Sequence, residues 1–168
     1  SRDSIRKYAE RKKIIDEFIG NLNSTLGTIN WQPIIYQYNH LDFEQLIALY
    51  TTCDVALITP LRDGMNLVSK EFVASRKDKQ GVLILSEMAG AARELTEALL
   101  INPNDTDEIA EMIKQGFEMK KNEQEERMTA MQERISRYDV NAWAGDYLNQ
   151  LKEVKDVQLP EVTMHRKR

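Results

Sequence analysis

The residues best suited to chemistry lie in Thr59-Pro60-Leu61-Arg62-Asp63-Gly64-Met65-Asn66-Leu67, which brings together a charge pair, a glycine and a side-chain amide. The stretch joins an apolar run to a helix-like pattern. In an open α/β sheet, ligands bind beyond the carboxyl ends of the strands, on loops of this kind. Its residue types suit a sugar or a phosphate. The first turn of the following helix leaves backbone N–H groups unpaired, with the positive end of the helix dipole facing the crevice. Gly64 lacks a Cβ and lets a ligand come close to the backbone. Asp63 can accept hydrogen bonds from hydroxyls, and Glu71, one turn beyond Leu67, can take both hydroxyls of a ribose. The same residues also suit a plain turn, with Asp63 bonded to its own backbone and Glu71 a solvated helix carboxylate. Residue types alone leave both readings open.

Two further loops belong at the same end of the sheet, Asn39-His40-Leu41 and Glu87 to Ala92. His40 is a candidate base or phosphate contact, or simply a structural histidine. Gly90-Ala91-Ala92 are small enough to bring a helix N-terminus near a phosphate. No metal is expected, since neither His40 nor His165 has a second His or Cys at helical spacing. No Ser-His-Asp arrangement stands out, and nothing marks Cys53 as reactive. The seven glycines form neither GxGxxG nor a Walker A loop, which excludes a standard dinucleotide-binding or P-loop function for this segment. Met128 and Met131 read as core, Glu123 to Arg127 as a solvated face, and His165 to Arg168 as a solubilising basic tail.

The elements that must position these residues follow from periodicity. Ile5, Tyr8, Ile15, Phe18, Ile19, Leu22 and Leu26 predict a long helix from about Ser4, stopped by Gly27. Ile34 to Tyr38 reads as a strand. Asp42 caps a helix with Phe43, Leu46, Ile47, Leu49 and Tyr50 on its apolar face. Val55 to Thr59 reads as a strand buried on both faces. A helix from Leu67 to Ser75 and a buried strand from Gly81 to Ser86 follow. A short helix at about Ala91 to Glu97 leads into a third apolar run, Ala98 to Ile101. Capping pairs Asp105/Glu108 and Asn122/Glu125 open two more helices, and Asp139 caps a last one carrying Val140, Trp143, Tyr147, Leu148 and Leu151. The alternation predicts a parallel sheet of about four strands wrapped by helices, an α/β, Rossmann-like fold with a helical C-terminal segment. A long helix is an unusual opening for such a sheet, so further strands are expected upstream. From Lys152 the period decays, which gives a domain over 1–151 and a linker or tail over 152–168.

Composition bounds the function. The 168 residues suit one domain with a sizeable core, and 42% hydrophobic with 30% charged residues excludes wholesale disorder. With 27 acidic against 23 basic side chains the net charge is −4, which argues against a nucleic-acid partner. No apolar run reaches the ~20 residues that span a bilayer, so no membrane partner is expected. The single Cys53 rules out an internal disulfide framework and fits a reducing, cytoplasmic compartment. Starting at Ser1-Arg2-Asp3 and ending on a basic run, the chain reads as a piece of something longer.

Several of these stretches together resemble the trehalose-6-phosphate synthases, a family of retaining glycosyltransferases. The likeness is carried by Thr59 to Val68 with Lys70-Glu71-Phe72-Val73-Ala74, by Gly81 to Ser86 with Ala89-Gly90-Ala91-Ala92, and by Glu94-Leu95 leading to Asn102-Pro103. It runs from about Ser1 to Leu151. The resemblance implies the GT-B architecture, two Rossmann-like domains facing across a cleft, with this chain forming most of the C-terminal, nucleotide-sugar-binding domain. It implies transfer of glucose from UDP-glucose to glucose 6-phosphate with retention, without a metal or other cofactor. Asp63 is then the catalytic candidate and, with the backbone of Gly64, Met65 and Asn66, holds the glucose hydroxyls. The amides of Leu67 and Val68 lie by the diphosphate, and Glu71 takes the ribose hydroxyls. Leu41 meets the uracil through its backbone, His40 lies near the sugar and diphosphate, and Arg2 falls where the family contacts the acceptor's phosphate. Catalysis so implied is electrostatic, with the leaving UDP stabilised while the acceptor hydroxyl attacks from the same face. It needs no covalent carboxylate nucleophile of the kind many retaining glycosidases use.

Two departures qualify the likeness. The family's Arg and Lys clamp on the diphosphate, and the N-terminal domain that supplies most acceptor contacts, both lie upstream of Ser1. Ser69, where Ala is common, is a smaller change. A phosphatase domain follows in many relatives, and the residues after Lys152 suit the start of such a linker. Competing readings are a relative with another acceptor or nucleotide, and a regulatory, synthase-like subunit without turnover; intact Asp63 and Glu71 disfavour the second. The 168-residue chain alone is expected to show no synthase turnover, and sugar transfer by the purified chain would refute this.

Overall fold

A computed structural model describes residues 6–138 and 140–158. Arg2, the Asp139 cap and the basic tail lie outside the described residues. The chain divides into two compact units, Ser1–Leu41 and Asp42–Arg168.

In the first unit, α1 spans Arg6–Leu26 and ends where the glycine predicts. The Gly27 amide donates to the Asn23 carbonyl at 2.8 Å, and a Cβ on Gly27 would lie 2.4 Å from that oxygen. Ile34 to Tyr38 is not a strand. The stretch has strand composition, but no other segment among the described residues pairs with it. The Asn23 side chain instead takes both backbone groups of Ile34, at 2.8 and 3.1 Å. The sheet therefore has three strands here rather than four.

The second unit holds that sheet, parallel and ordered β1 (Val55–Ile58), β2 (Val82–Ser86), β3 (Leu99–Ile101). Alternation along β2 places its side chains in two apolar layers. Leu83 and Leu85 pack with Tyr50, Phe72, Val73, Leu95, Met128 and Met131, while Val82 and Ile84 pack with Leu99, Ile101, Ile109 and Ile113. The first layer is covered by α2 (Phe43–Thr52), α3 (Leu67–Ser75) and α5 (Lys121–Arg137), the second by α4 (Thr106–Glu118). Met128 and Met131 are core, as their spacing predicts. β1 departs from the expectation of burial on both faces: it is an edge strand among the described residues, and Leu57 is exposed.

Local caps explain most boundaries. Asp42 and Gln45 form a reciprocal capping box at α2. Asp105 caps α4 through the amides of Asp107 and Glu108, but Glu108 turns back to the Asn102 amide, so the box there is only half formed. Asn122 does not open α5. The helix starts at Lys121, and Gln124 braces that end by donating to the Met119 carbonyl and accepting from the Gly81 amide. The helix expected at 91–97 is a single 3-10 turn, Gly90–Arg93. The last helix, α6 (Val140–Gln158), continues past Lys152, where the hydrophobic period decays.

One buried cation fastens α2, α3 and β2. Arg76, 4% exposed, donates to the carbonyls of Gln80 at 2.6 Å, Tyr50 at 2.9 Å and Cys53 at 3.0 Å, and pairs with Asp78 at 3.1 Å. Gly81, at φ 96°, lies against this guanidinium, and a Cβ there would approach it to 3.2 Å. Arg76→Met strands the carbonyls without a donor and is expected to cost about 3 kcal/mol, measured by urea unfolding. An unchanged midpoint would show that water satisfies those carbonyls equally well.

Candidate functional site

The loop of residues 59–66 leaves the carboxyl end of β1 and enters α3 by way of Asn66. Asn66 adopts a left-handed backbone, φ 49°, which asparagine tolerates better than most residues. Its side-chain oxygen accepts from the Ser69 amide at 3.0 Å, and its side-chain nitrogen donates to an Asp63 carboxylate oxygen at 2.7 Å. The buried Ser69 hydroxyl donates to the Asn66 carbonyl at 2.8 Å, a bond that an alanine here would lack.

The second loop, after β2, fixes the first. Asp63 and Ala89 form an isolated parallel bridge, with Asp63 N donating to the Met88 carbonyl at 3.4 Å and Gly90 N to the Asp63 carbonyl at 3.2 Å. The sheet pattern thus continues one step past the strand ends. The Ser86 hydroxyl, fully buried, donates to the Pro60 carbonyl and accepts from the Met88 amide, tying both loops to the end of β2. Gly90 is required by contact, because a Cβ there would lie 2.2 Å from the Gly64 carbonyl oxygen. A Cβ on Gly64 would meet nothing within 4 Å. The missing Cβ of Gly64 therefore leaves open space above its backbone.

Asp63 does not spend its carboxylate on its own backbone, the plain-turn alternative. One oxygen holds Asn66, and a carboxylate offers roughly four acceptor positions. Asp63, Gly64 and Met65 are exposed, as are the Leu67 and Val68 side chains at the mouth of α3. By helix geometry the Leu67 and Val68 amides have no acceptor within α3, while that of Ser69 is taken by Asn66. Asp63, Gly64, Asn66, Leu67 and Val68 are thus assembled at one end of the sheet, with Glu71 one turn along α3.

Tyr50 belongs to this site and its role was not legible in the sequence, where it reads only as part of an apolar helix face. It is buried, yet its hydroxyl donates to Glu71 Oε2 at 3.2 Å. Burial, followed by the bond to Glu71, raises the phenol from 10.0 to about 12. Ser86 was missed for a similar reason, since its partners are 26 residues upstream and two downstream. Lys70, on the same helix, pairs with Glu94 at 2.7 Å, which links α3 to the end of the 3-10 turn. His40 and Leu41 close the first unit, His40 exposed and Leu41 half-buried. Among the described residues no group of three or more His, Cys, Asp or Glu is placed to hold a metal ion, and no helix is long and apolar enough to cross a membrane.

The two glycines generate opposite expectations. Gly90→Ala should lower stability by about 2 kcal/mol or more through its clash with Gly64, whereas Gly64→Ala should stay within about 1 kcal/mol of the parent. Urea midpoints decide, and equal losses would mean that the loops are not packed as described. The raised Tyr50 phenol makes a separate prediction. Its stabilising share is fully present below pH 10 and is lost as the pH rises towards 12, because the unfolded chain releases that proton first. A Tyr50→Phe chain should lack this part of the alkaline decline.

Comparison with known proteins places this geometry. The model for glycosyltransferase family 20 matches residues 1–153. The bifunctional trehalose-6-phosphate synthase/phosphatase of Thermoproteus tenax is 51% identical over 158 residues, 94% of this chain and 22% of that protein. The glucosylglycerol-phosphate synthase of a Synechocystis strain is 42% identical over 88% of this chain and 30% of its own length. The solved structure of the E. coli trehalose-6-phosphate protein bound with UDP-2-fluoro glucose superposes with a TM-score of 0.84 at 38% identity, covering 90% of this chain and 34% of that one. The chain thus spans about a fifth to a third of these relatives' lengths. The Rossmann-like parallel sheet expected from the C-terminal half of a GT-B enzyme is the fold found. The chain belongs to glycosyltransferase family 20.

Proposed function

We propose that this chain is the donor-binding part of an α,α-trehalose-phosphate synthase, which transfers glucose from UDP-glucose to glucose 6-phosphate with retention. The observation that carries the reading is the braced loop at the head of α3. It offers an exposed carboxylate at Asp63, open space over Gly64 and two amides at Leu67 and Val68. Those amides and the positive helix end suit a diphosphate. Asp63, with the backbone of Gly64, Met65 and Asn66, suits the hydroxyls of the glucose. Glu71, held by Tyr50, suits the ribose. The relative solved with UDP-2-fluoro glucose supports a uridine nucleotide sugar as donor.

The remaining assignments belong to the same reading. By the family likeness, His40 is assigned to the sugar and diphosphate, the Leu41 backbone to the uracil, and Arg2 to the acceptor's phosphate. Asp63 orients the donor glucose while donors around the diphosphate stabilise the charge that develops on the leaving UDP. No metal or other cofactor is needed. The N-terminal domain of the same enzyme completes the cleft and supplies most acceptor contacts, in a cytoplasmic protein without a nucleic-acid or membrane partner. A phosphatase domain accompanies the synthase in the Thermoproteus relative, which makes one a candidate neighbour here.

A second reading keeps the donor site and changes the acceptor or the nucleotide. It is favoured by the likeness to a glucosylglycerol-phosphate synthase, since a donor domain alone does not distinguish acceptors. The test is UDP release by the intact protein from UDP-glucose, with and without glucose 6-phosphate. Release that depends on glucose 6-phosphate and falls roughly hundredfold or more in Asp63→Ala is expected. UDP release only with glycerol phosphate, or ADP release from ADP-glucose with no UDP release from UDP-glucose, would establish the second reading. UDP binding without any release would leave a regulatory subunit.

A further inference from the structure

We propose that Tyr50 is a positioning residue for the nucleotide ribose: its hydroxyl, delivered from the core, fixes the Glu71 carboxylate that receives the sugar's hydroxyls. The proposal rests on the donor-site reading above and gives the Tyr50–Glu71 bond a part in selecting the ribose.

Glu71 is exposed on α3, and an exposed glutamate ordinarily samples several rotamers, which a ligand must freeze on binding. Tyr50 removes that freedom on one side, since its hydroxyl donates to Glu71 Oε2 at 3.2 Å. The phenol is itself immobile. Its ring is buried and meets Phe72 edge-on, with centroids 6.4 Å apart at 84°. Its carbonyl accepts from the buried Arg76 guanidinium at 2.9 Å. Tyr50 therefore transmits the rigidity of the core to a carboxylate at the surface.

The chemistry of the pair suits this role. The phenol titrates far above neutrality, so it remains a donor throughout the working range. One acceptor position on Oε2 is used by Tyr50, leaving Oε1 and the rest of Oε2 for two neighbouring hydroxyls. A vicinal diol presents such a pair. A carboxylate held in one plane should therefore favour a ribonucleotide over its deoxy counterpart more strongly than a freely turning one. A merely structural tyrosine would affect binding of both nucleotides alike.

The test compares UDP with 2′-deoxy-UDP by calorimetry on the intact protein, in the parent, Tyr50→Phe and Glu71→Ala. The parent should prefer UDP by about tenfold or more, and Glu71→Ala should abolish the preference. Tyr50→Phe removes one oxygen and keeps the ring. It should weaken UDP by about fivefold and 2′-deoxy-UDP, which keeps only one of the two hydroxyls, clearly less, with a rise in KM for UDP-glucose and little change in kcat. Equal weakening of both nucleotides, or no change in either, would overturn the role of Tyr50 while leaving Glu71 intact. If Glu71→Ala leaves the preference untouched, the ribose assignment itself fails, and the role of Tyr50 fails with it. Should Tyr50→Phe prove unstable, Glu71→Gln reads the same contact from the other side. A neutral amide is a weaker acceptor for the phenol and the ribose, so the preference should fall without reaching the Glu71→Ala level; full retention would count against the proposal.

Discussion

The site depends on a contact between two backbones. Gly90 packs so closely on the Gly64 carbonyl that no side chain fits between them, and the Asp63–Ala89 bridge carries the sheet pattern beyond the strands. Loops at the end of a parallel sheet usually project separately. Here each is the other's support, with Ser86 tied to both. The consequence is a loop presented at a fixed height above the sheet. Its one left-handed residue, Asn66, turns the chain into α3 while bonding Asp63 and Ser69 at once. The helix N-terminus, the carboxylate and the open face of Gly64 are therefore set by the same few bonds.

Behind this loop the core reaches the surface along one line. Arg76 grips the carbonyl of Tyr50, Tyr50 stacks edge-on against Phe72, and its hydroxyl holds Glu71. Arg76 itself bonds backbone carbonyls and Asp78 and reads as purely structural, yet it anchors the residue that holds Glu71. Such a chain places a polar contact in the site without burying a charge there. It also explains why α2, which contributes no residue to the loop, matters to its geometry.

Much of the fold was legible because it is signalled locally. β1, β2 and β3 are short apolar runs bounded by Pro60, Gly81 and Asn102-Pro103. Asp42 and Asp105 cap their helices through amides only a few residues away. The loop at 59–66 was legible for the same reason, its unusual residues being adjacent. What failed depends on partners distant in sequence. Ile34 to Tyr38 has the composition of a strand, but a strand exists only when another segment pairs with it. The start of α5 was misplaced because Gln124 braces it through Gly81, 43 residues earlier. Tyr50 looked apolar because the one partner of its hydroxyl is 21 residues away on another helix. The residues of the loop stand out in the sequence, whereas the hydroxyl that holds Glu71 does not.

By the proposed reading, a nucleoside diphosphate sugar binds over the loop and the head of α3. Amide hydrogen exchange on the intact protein, with and without saturating UDP, tests it most directly. Slowed exchange is expected at residues 64–69, concentrated at Leu67 and Val68, whose amides have no acceptor within the helix. Tight UDP binding with exchange unchanged over that stretch would contradict it.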